Sequence, residues 1–298
     1  MSTGQAHRSR TATGVSSAFG TFGELLQGVL PDQVDFLVTM PIARWATATF
    51  ELAASGGVSV TPAHKTKARR LAESILAVHA PGAGGRLTLD GTIPEGKGLA
   101  SSSADLVATA RAVANALGVH LPDTDIEDFL REIEPTDGVM YPEVVAFDHR
   151  AVRLRARLGV LPPLTVVGID EGGTVDTVAF NRIPKPFPAA TRAEYARLLD
   201  TITTAIAVGD LATVGRVATR SAELNQQLRP KRSLTAMLAI CAEAGGVGVV
   251  VAHSGTAIGV LLPHQALGYE RRLDLTLRRC AELSDQVLLY HALCVDYR

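Results

Sequence analysis

Residues 94–105 read PEGKGLASSSAD. Glycines at 96 and 98 and three consecutive serines stand between two segments with regular patterns. Upstream, RLTLDGTI (86–93) alternates Leu87 and Leu89 on one face, as a strand does. Downstream, SADLVATARAVANAL (103–117) places Leu106, Val107, Ala110, Val113, Ala114 and Leu117 on one side of a helix, and Gly118 is a natural stop. A strand, a glycine-rich turn and a helix N-terminus make an anion site. The first N–H groups of a helix have no intrahelical acceptor, and the positive end of its dipole favours a phosphate. Gly98 and Ala100 are small enough to let a phosphate reach the backbone. Ser101, Ser102 and Ser103 can cap the helix, contact phosphate oxygens or hold a magnesium ion. On spacing alone, a serine cap on an ordinary helix with no ligand is the alternative.

One look-alike is set aside. Residues 91–97 read G-x-x-x-x-G-K, most of a Walker A motif, but Gly98 stands where a magnesium-binding Ser or Thr belongs. The helix also begins at the serines and not directly after Lys97.

Composition bounds the rest. The chain has 298 residues, of which 47% are hydrophobic and only 5% aromatic, so the core is aliphatic and long enough for two modest domains. Lys and Arg number 29 against 30 Asp and Glu. That balance argues against a nucleic-acid or membrane-surface partner. No apolar run approaches the roughly 20 residues of a membrane helix. MSTGQAHRSRTATG (1–14) lacks the apolar core of a signal peptide and reads as a short mobile tail. Cys241, Cys280 and Cys294 have no ligand or pairing pattern and fit ordinary thiols in a reducing cytoplasm. The dispersed histidines suggest no structural zinc.

Strand-like and helix-like pieces alternate through the first half, with a strand over 36–53 and a helix over 69–80. After Pro162 and Pro163 the pattern is a strand (164–170), helices over 192–207 and 211–228, and strands over 246–252 and 256–262 joined by HSG. An amphipathic segment (264–283) and a last strand, QVLLYHAL, follow. This order resembles a ferredoxin-like split βαβ unit. The reading is α+β, with one domain over 1–163 and a second over 164–298.

PEGKGLASSSA (94–104) resembles the phosphate-binding motif P-x-x-x-G-L-G-S-S-A of the GHMP kinases, the family of galactokinase, homoserine kinase, mevalonate kinase and phosphomevalonate kinase. Ala100 replaces the usual glycine and Ser103 the usual alanine. The resemblance implies a ribosomal protein S5 domain 2-like N-terminal domain and a ferredoxin-like C-terminal domain. It implies ATP and Mg2+, with Pro94, Gly96, Lys97, Gly98, Leu99, Ala100, Ser101, Ser102 and Ser103 around the phosphates. Ser102 would hold magnesium, Ser101 would cap the helix, and Lys97 would be a solvated cation that helps steer ATP.

Other strings narrow the resemblance. GTFGELLQG (20–28) lacks the His and Asp that follow Glu in galactokinases and mevalonate kinases. It resembles instead the L-threonine kinase branch, which serves cobalamin side-chain synthesis. Glu24 would orient the substrate through an ammonium group, or is a surface carboxylate. HSGT (253–256) occupies the place of the family's third motif, with Ser254 and Gly255 backing the phosphate loop beside the substrate. EPTDGVMY (134–141) supplies Asp137 as the implied base, or as a turn residue, and Glu134 as the implied magnesium ligand, with Glu127 and Glu132 as rivals. In FDHR (147–150), Asp148 and Arg150 bind substrate or pair as a surface salt bridge. The implied reaction is phosphorylation of the L-threonine side-chain hydroxyl to L-threonine O-3-phosphate. Serine, homoserine or another amino alcohol is the first alternative, and a non-catalytic nucleotide sensor is the second. The fold is compatible with a homodimer.

Overall fold

The computed structural model describes residues 12–173, 185 and 187–294. The expected tail over 1–14 lies largely outside them, but its last residues do not trail. Strand β1 (Thr13–Val29) already begins there, and Ala12 O accepts a bond from Leu52 N at 2.9 Å. β1 pairs antiparallel with β2 (Asp35–Ala53), and β2 carries β4 (Gly84–Gly91), which pairs in parallel with β3 (Val58–Thr61). β5 (Val144–Asp148) and β6 (Arg153–Gly159) form a hairpin on the other end of β2. That hairpin is absent from the sequence reading.

Helix α1 (Thr66–His79) and helix α2 (Ser101–Leu117) pack beside this sheet, and α3 (Asp123–Arg131) follows α2. Twelve of the seventeen residues of α2 are buried, so the helix is enclosed nearly all round. Its alanines allow a close approach. A Cβ on Gly14 of β1 would stand 2.1 Å from Ala112 O.

The second half contains β7 (Leu164–Asp170), α4 (Ala189–Ala207), α5 (Leu211–Asn225), α6 (Leu234–Ala244), β8 (Gly248–Val251), β9 (Ala257–Pro263), α7 (Tyr269–Ala281) and β10 (Val287–His291). Helix α6, LTAMLAICAEA, is apolar on most sides, and it too is absent from the sequence reading. The strand order β10-β7-β9-β8, antiparallel throughout, is the ferredoxin-like arrangement expected. The two half-sheets join at two places: Glu24 of β1 lies opposite Val251 of β8, and Ile42 of β2 bridges to Ala292 just beyond β10. Glu24 therefore lies at the junction of the halves.

Candidate active site

The phosphate loop is fixed from both sides. Leu99 O accepts from Thr21 N at 3.1 Å, which ties the loop to β1. Lys97 O accepts from Thr256 N at 3.1 Å, which ties it to the β8–β9 turn. That turn can sit so close only because both loops carry glycine. A Cβ on Gly255 would lie 1.9 Å from Lys97 O, and one on Gly98 (φ +77°) would lie 2.7 Å from both Gly255 Cα and Ala252 Cβ. The carbonyl of Gly255 is held from behind by Arg229 Nε at 2.8 Å and by the Lys231 ammonium. Burial, with Arg229 beside it, pulls the Lys231 ammonium down to about 8.

Helix α2 starts within the serine run, as expected, but at Ser101 itself, and no serine caps it. The cap is Ala100, in the left-handed region at φ 58°, with no side-chain bond to the first turn. Ser101 is already the first helical residue, which corrects its expected role. The hydroxyls of Ser102 and Ser103 are turned to carboxylates instead. Ser102 Oγ donates to Glu134 Oε1, and Lys67 pairs with the other oxygen of the same carboxylate. Ser103 Oγ accepts from Asp137 N at 3.1 Å and donates to Asp137 Oδ2 at 3.3 Å. Removal from water pushes the Asp137 carboxyl up to about 7, the charge of Glu24 adds to the rise, and the Ser103 bond opposes it.

Glu24 is buried, so it is no surface carboxylate. Its Oε2 accepts from His253 N at 3.1 Å and from His253 Nδ1 at 2.8 Å. His253 Nε2 in turn lies 2.7 Å from Ser221 Oγ on α5, and the same hydroxyl accepts from Gln27 N at 3.1 Å. The second half of the chain thus sets the orientation of a carboxylate in the first.

These groups surround one cavity of about 340 Å3. Of the residues singled out in the sequence, Glu24, Gly96, Gly98, Leu99, Ala100, Ser101, Ser102, Ser103, Glu134, Asp137 and Ser254 line it. Others stand elsewhere. Lys97 is not a solvated cation, because its Nζ pairs with Asp170 at 2.5 Å and donates to Gly173 O at 2.8 Å. Pro94 and Gly255 do not line the cavity. Asp148 and Arg150 do not pair with each other. Asp148 binds Arg153 at 3.1 Å and Arg155 at 2.7 Å, Arg150 reaches Asp35 at 3.3 Å, and neither reaches the cavity. Glu127 is engaged by Tyr141 Oη and Leu154 N, both at 2.8 Å, and Glu132 is exposed, which leaves Glu134 as the glutamate at the serines.

Sequence reasoning missed Lys65, Lys67, Gln27 and His149 on the cavity wall. Lys65 Nζ lies 2.5 Å from both Glu95 and Asp105. The string KTKARR at the start of α1 was the available signal for the two lysines. The other two carry none in their local sequence.

The two halves together present one cleft at a helix N-terminus, with two lysines among its carboxylates and an aspartyl carboxyl near neutrality. Comparison with known proteins agrees. The family model described as the GHMP kinases N terminal domain matches residues 65–141, and that described as GHMP kinases C terminal matches residues 202–273. Together they cover half of the chain, and the protein belongs to the GHMP kinases.

An L-threonine kinase of Salmonella typhimurium is 32% identical over 178 residues, 59% of this chain and 59% of the relative. An L-threonine kinase of Citrobacter freundii is 33% identical over 178 residues, 59% of this chain and 62% of the relative. The match thus spans about three fifths of the length of these curated relatives. Homoserine kinase from Cytophaga hutchinsonii superposes with a TM-score of 0.72 at 16% identity, covering 97% of each chain. L. major mevalonate kinase superposes at 0.68 and 16% identity, covering 99% of this chain and 97% of that one. At such identities the superpositions speak for the fold. Among the described residues no helix is long and apolar enough to cross a membrane.

Proposed function

We propose that the protein transfers the γ-phosphoryl group of ATP to the side-chain hydroxyl of L-threonine, giving L-threonine O-3-phosphate. The observation that carries this reading is the convergence of the first turn of α2, the Ser102–Glu134 pair and the raised carboxyl of Asp137 on one cavity. The motifs that resemble the threonine kinase branch, and relatives of that name, support threonine as the acceptor. With threonine as the acceptor, the product would lie on the way to the cobalamin side chain, and the unpatterned thiols suit a reducing cytoplasm.

The triphosphate lies across the N-terminus of α2, where free N–H groups and the helix dipole meet it. Lys65 and Lys67, which line the same cavity, would offset its charge on leaving their carboxylate partners. A hydroxyl and a carboxylate side by side are hard oxygen donors that suit magnesium, and in the chain itself Glu134 is already balanced by a cation, Lys67. Ser102 and Glu134 would hold the ion. Among the described residues no cluster of three or more metal-binding side chains exists, so nucleotide oxygens and water would complete its shell. When bound, the ion offsets the charge that spreads over the phosphate oxygens during transfer.

Asp137 accepts the proton of the acceptor hydroxyl as that oxygen bonds to the γ-phosphorus and the bond to the β-γ bridging oxygen breaks. Ser103 holds the backbone and Oδ2 of Asp137, which fixes the carboxyl for this task. Glu24, immobilised by His253, receives the substrate ammonium.

The test is ADP release with magnesium and ATP, screened over L-threonine, L-serine, L-homoserine and mevalonate. Turnover dependent on threonine is expected. Turnover with another alcohol alone replaces the acceptor and keeps the mechanism, whereas nucleotide binding with no turnover supports a sensor.

A further inference from the structure

One end of the cavity contains buried polar atoms with no hydrogen-bond partner among the described residues. They are both ring nitrogens of His149 and Oε1 of Gln27, and Thr136 Oγ1 stands unpartnered beside Asp137. His149 is 3% exposed and Gln27 7%. Buried polar groups are almost always paired, because leaving one without a partner is costly. Several such atoms at one cavity end point to a polar ligand that completes them.

Their placement is specific. His149 follows β5, and its carbonyl accepts from Thr136 N at 3.2 Å, so its backbone is tied to the segment carrying Asp137. Gln27 lies on β1, three residues beyond Glu24, and its N–H is held by Ser221. Both side chains line the same cavity as Glu24 and Asp137.

The charges differ between the two sides of this end. Behind His149, Arg150 and Lys185 share a single carboxylate, Asp35, at 3.3 and 2.8 Å. Two cations on one anion leave a net positive charge there. Burial first, then Lys185 and Arg150, pushes the imidazole well below its ordinary range, so it is a neutral ring with one donor and one acceptor. A neutral donor in a positive field suits an anion. On the other side, the Glu24 carboxylate and Gln27 Oε1 offer only acceptors, which suit a cation. A molecule bearing an anion and a cation, with its hydroxyl at Asp137 between them, fits this arrangement.

We propose that His149 and Gln27 form the head-group subsite for a zwitterionic α-amino acid, with His149 donating to its carboxylate and Gln27 Oε1, beside Glu24, accepting from its ammonium. This rests on the kinase reading above and sharpens it, because it requires a carboxylate and so disfavours a plain amino alcohol. The ring nitrogens are covered by neighbouring atoms, so the contact needs a small turn of the ring as the acceptor enters.

The test compares kcat/KM for L-threonine, L-threonine amide and 1-amino-2-propanol, with calorimetric binding of L-threonine alone and of ATP alone. The unaltered enzyme is expected to favour the acid over the amide by about 10–100-fold, the scale of one buried hydrogen bond to a charged group. His149→Phe is expected to bring that ratio to near one through KM, with ATP binding unchanged. His149→Gln, which restores a donor, is expected to recover part of the preference, and it carries the comparison should the Phe variant not fold. Gln27→Met is expected to weaken the acid and the amide equally, since both keep the ammonium. An unchanged acid-to-amide ratio in His149→Phe, with threonine turnover intact, overturns the subsite and leaves the kinase assignment standing. Absence of threonine turnover in the unaltered protein overturns the kinase reading and the subsite with it.

Discussion

The two ends of the cavity solve opposite problems. At the phosphate end the lysines have partners within the chain, Lys65 with Glu95 and Asp105 and Lys67 with Glu134, and the Ser102 hydroxyl donates to Glu134. At the acceptor end Glu24 is locked by His253, yet the His149 ring and Gln27 Oε1 have no partner among the described residues. On the proposed function the first end would exchange partners when a nucleotide arrives, so its ion pairs would moderate affinity. The second gains hydrogen bonds without giving any up, so it can discriminate sharply. Substitutions at the two ends should therefore differ in kind.

The largest effect is expected at Asp137, where the ends meet. Asp137→Ala should lower kcat by ~10²–10⁴-fold, with ATP affinity within twofold by calorimetry. Wild-type-like turnover would remove Asp137 from the role of base. At the phosphate end, Ser102→Ala should lower kcat/KM for ATP by about 10–100-fold and raise the magnesium concentration needed for half-maximal rate. A loss confined to threonine KM would contradict the division between the ends.

A third prediction joins them through charge. A base must be ionised to act, and Asp137 is raised to about 7, so kcat/KM should climb with pH along a limb centred near that value. Glu24 raises it, so Glu24→Gln should move the limb toward acid even as it weakens threonine binding. A limb that stays in place would separate the two carboxylates. The smallest effect is expected at Ala100. Its left-handed backbone costs ~1–2 kcal/mol that glycine avoids, part of which is offset by glycine's freer unfolded chain. Ala100→Gly should thus leave activity intact and raise the melting temperature slightly.

The same contrast decides what the sequence could reveal. The phosphate end is written in one contiguous run, because a loop and the helix it opens are neighbours in the chain, and PEGKGLASSSAD is legible as such. Its rim of Lys65 and Lys67 was hidden because a basic helix start looks like any solvated surface. The acceptor end is assembled from residues 24, 27, 137, 149 and 254, and no local spacing relates them. Glu24 and Asp137 were reached by resemblance, whereas His149 was passed over between Asp148 and Arg150, whose charges drew attention but are engaged elsewhere. Ser101 was misjudged as a cap for a related reason. Propensity favours serine there, but the tight turn through Gly98 and Ala100 puts the boundary one residue earlier. The hairpin of β5 and β6 does carry a strand signature, an apolar run in VVAFD and strict alternation in RLRARLG, but both are short and follow the turn-rich EPTDG stretch.

The register pair of Glu24 with Val251 has a consequence for how the chain could be divided. Because Glu24, the carboxylate proposed to receive the substrate, also forms one of the strand contacts between the half-sheets, the proposed site cannot be complete before the halves dock. Fragments cut between 159 and 164 would each keep most of a sheet and still be inert, and mixing them would restore turnover only as fast as β1 finds β8. Activity would then serve as a direct clock for docking.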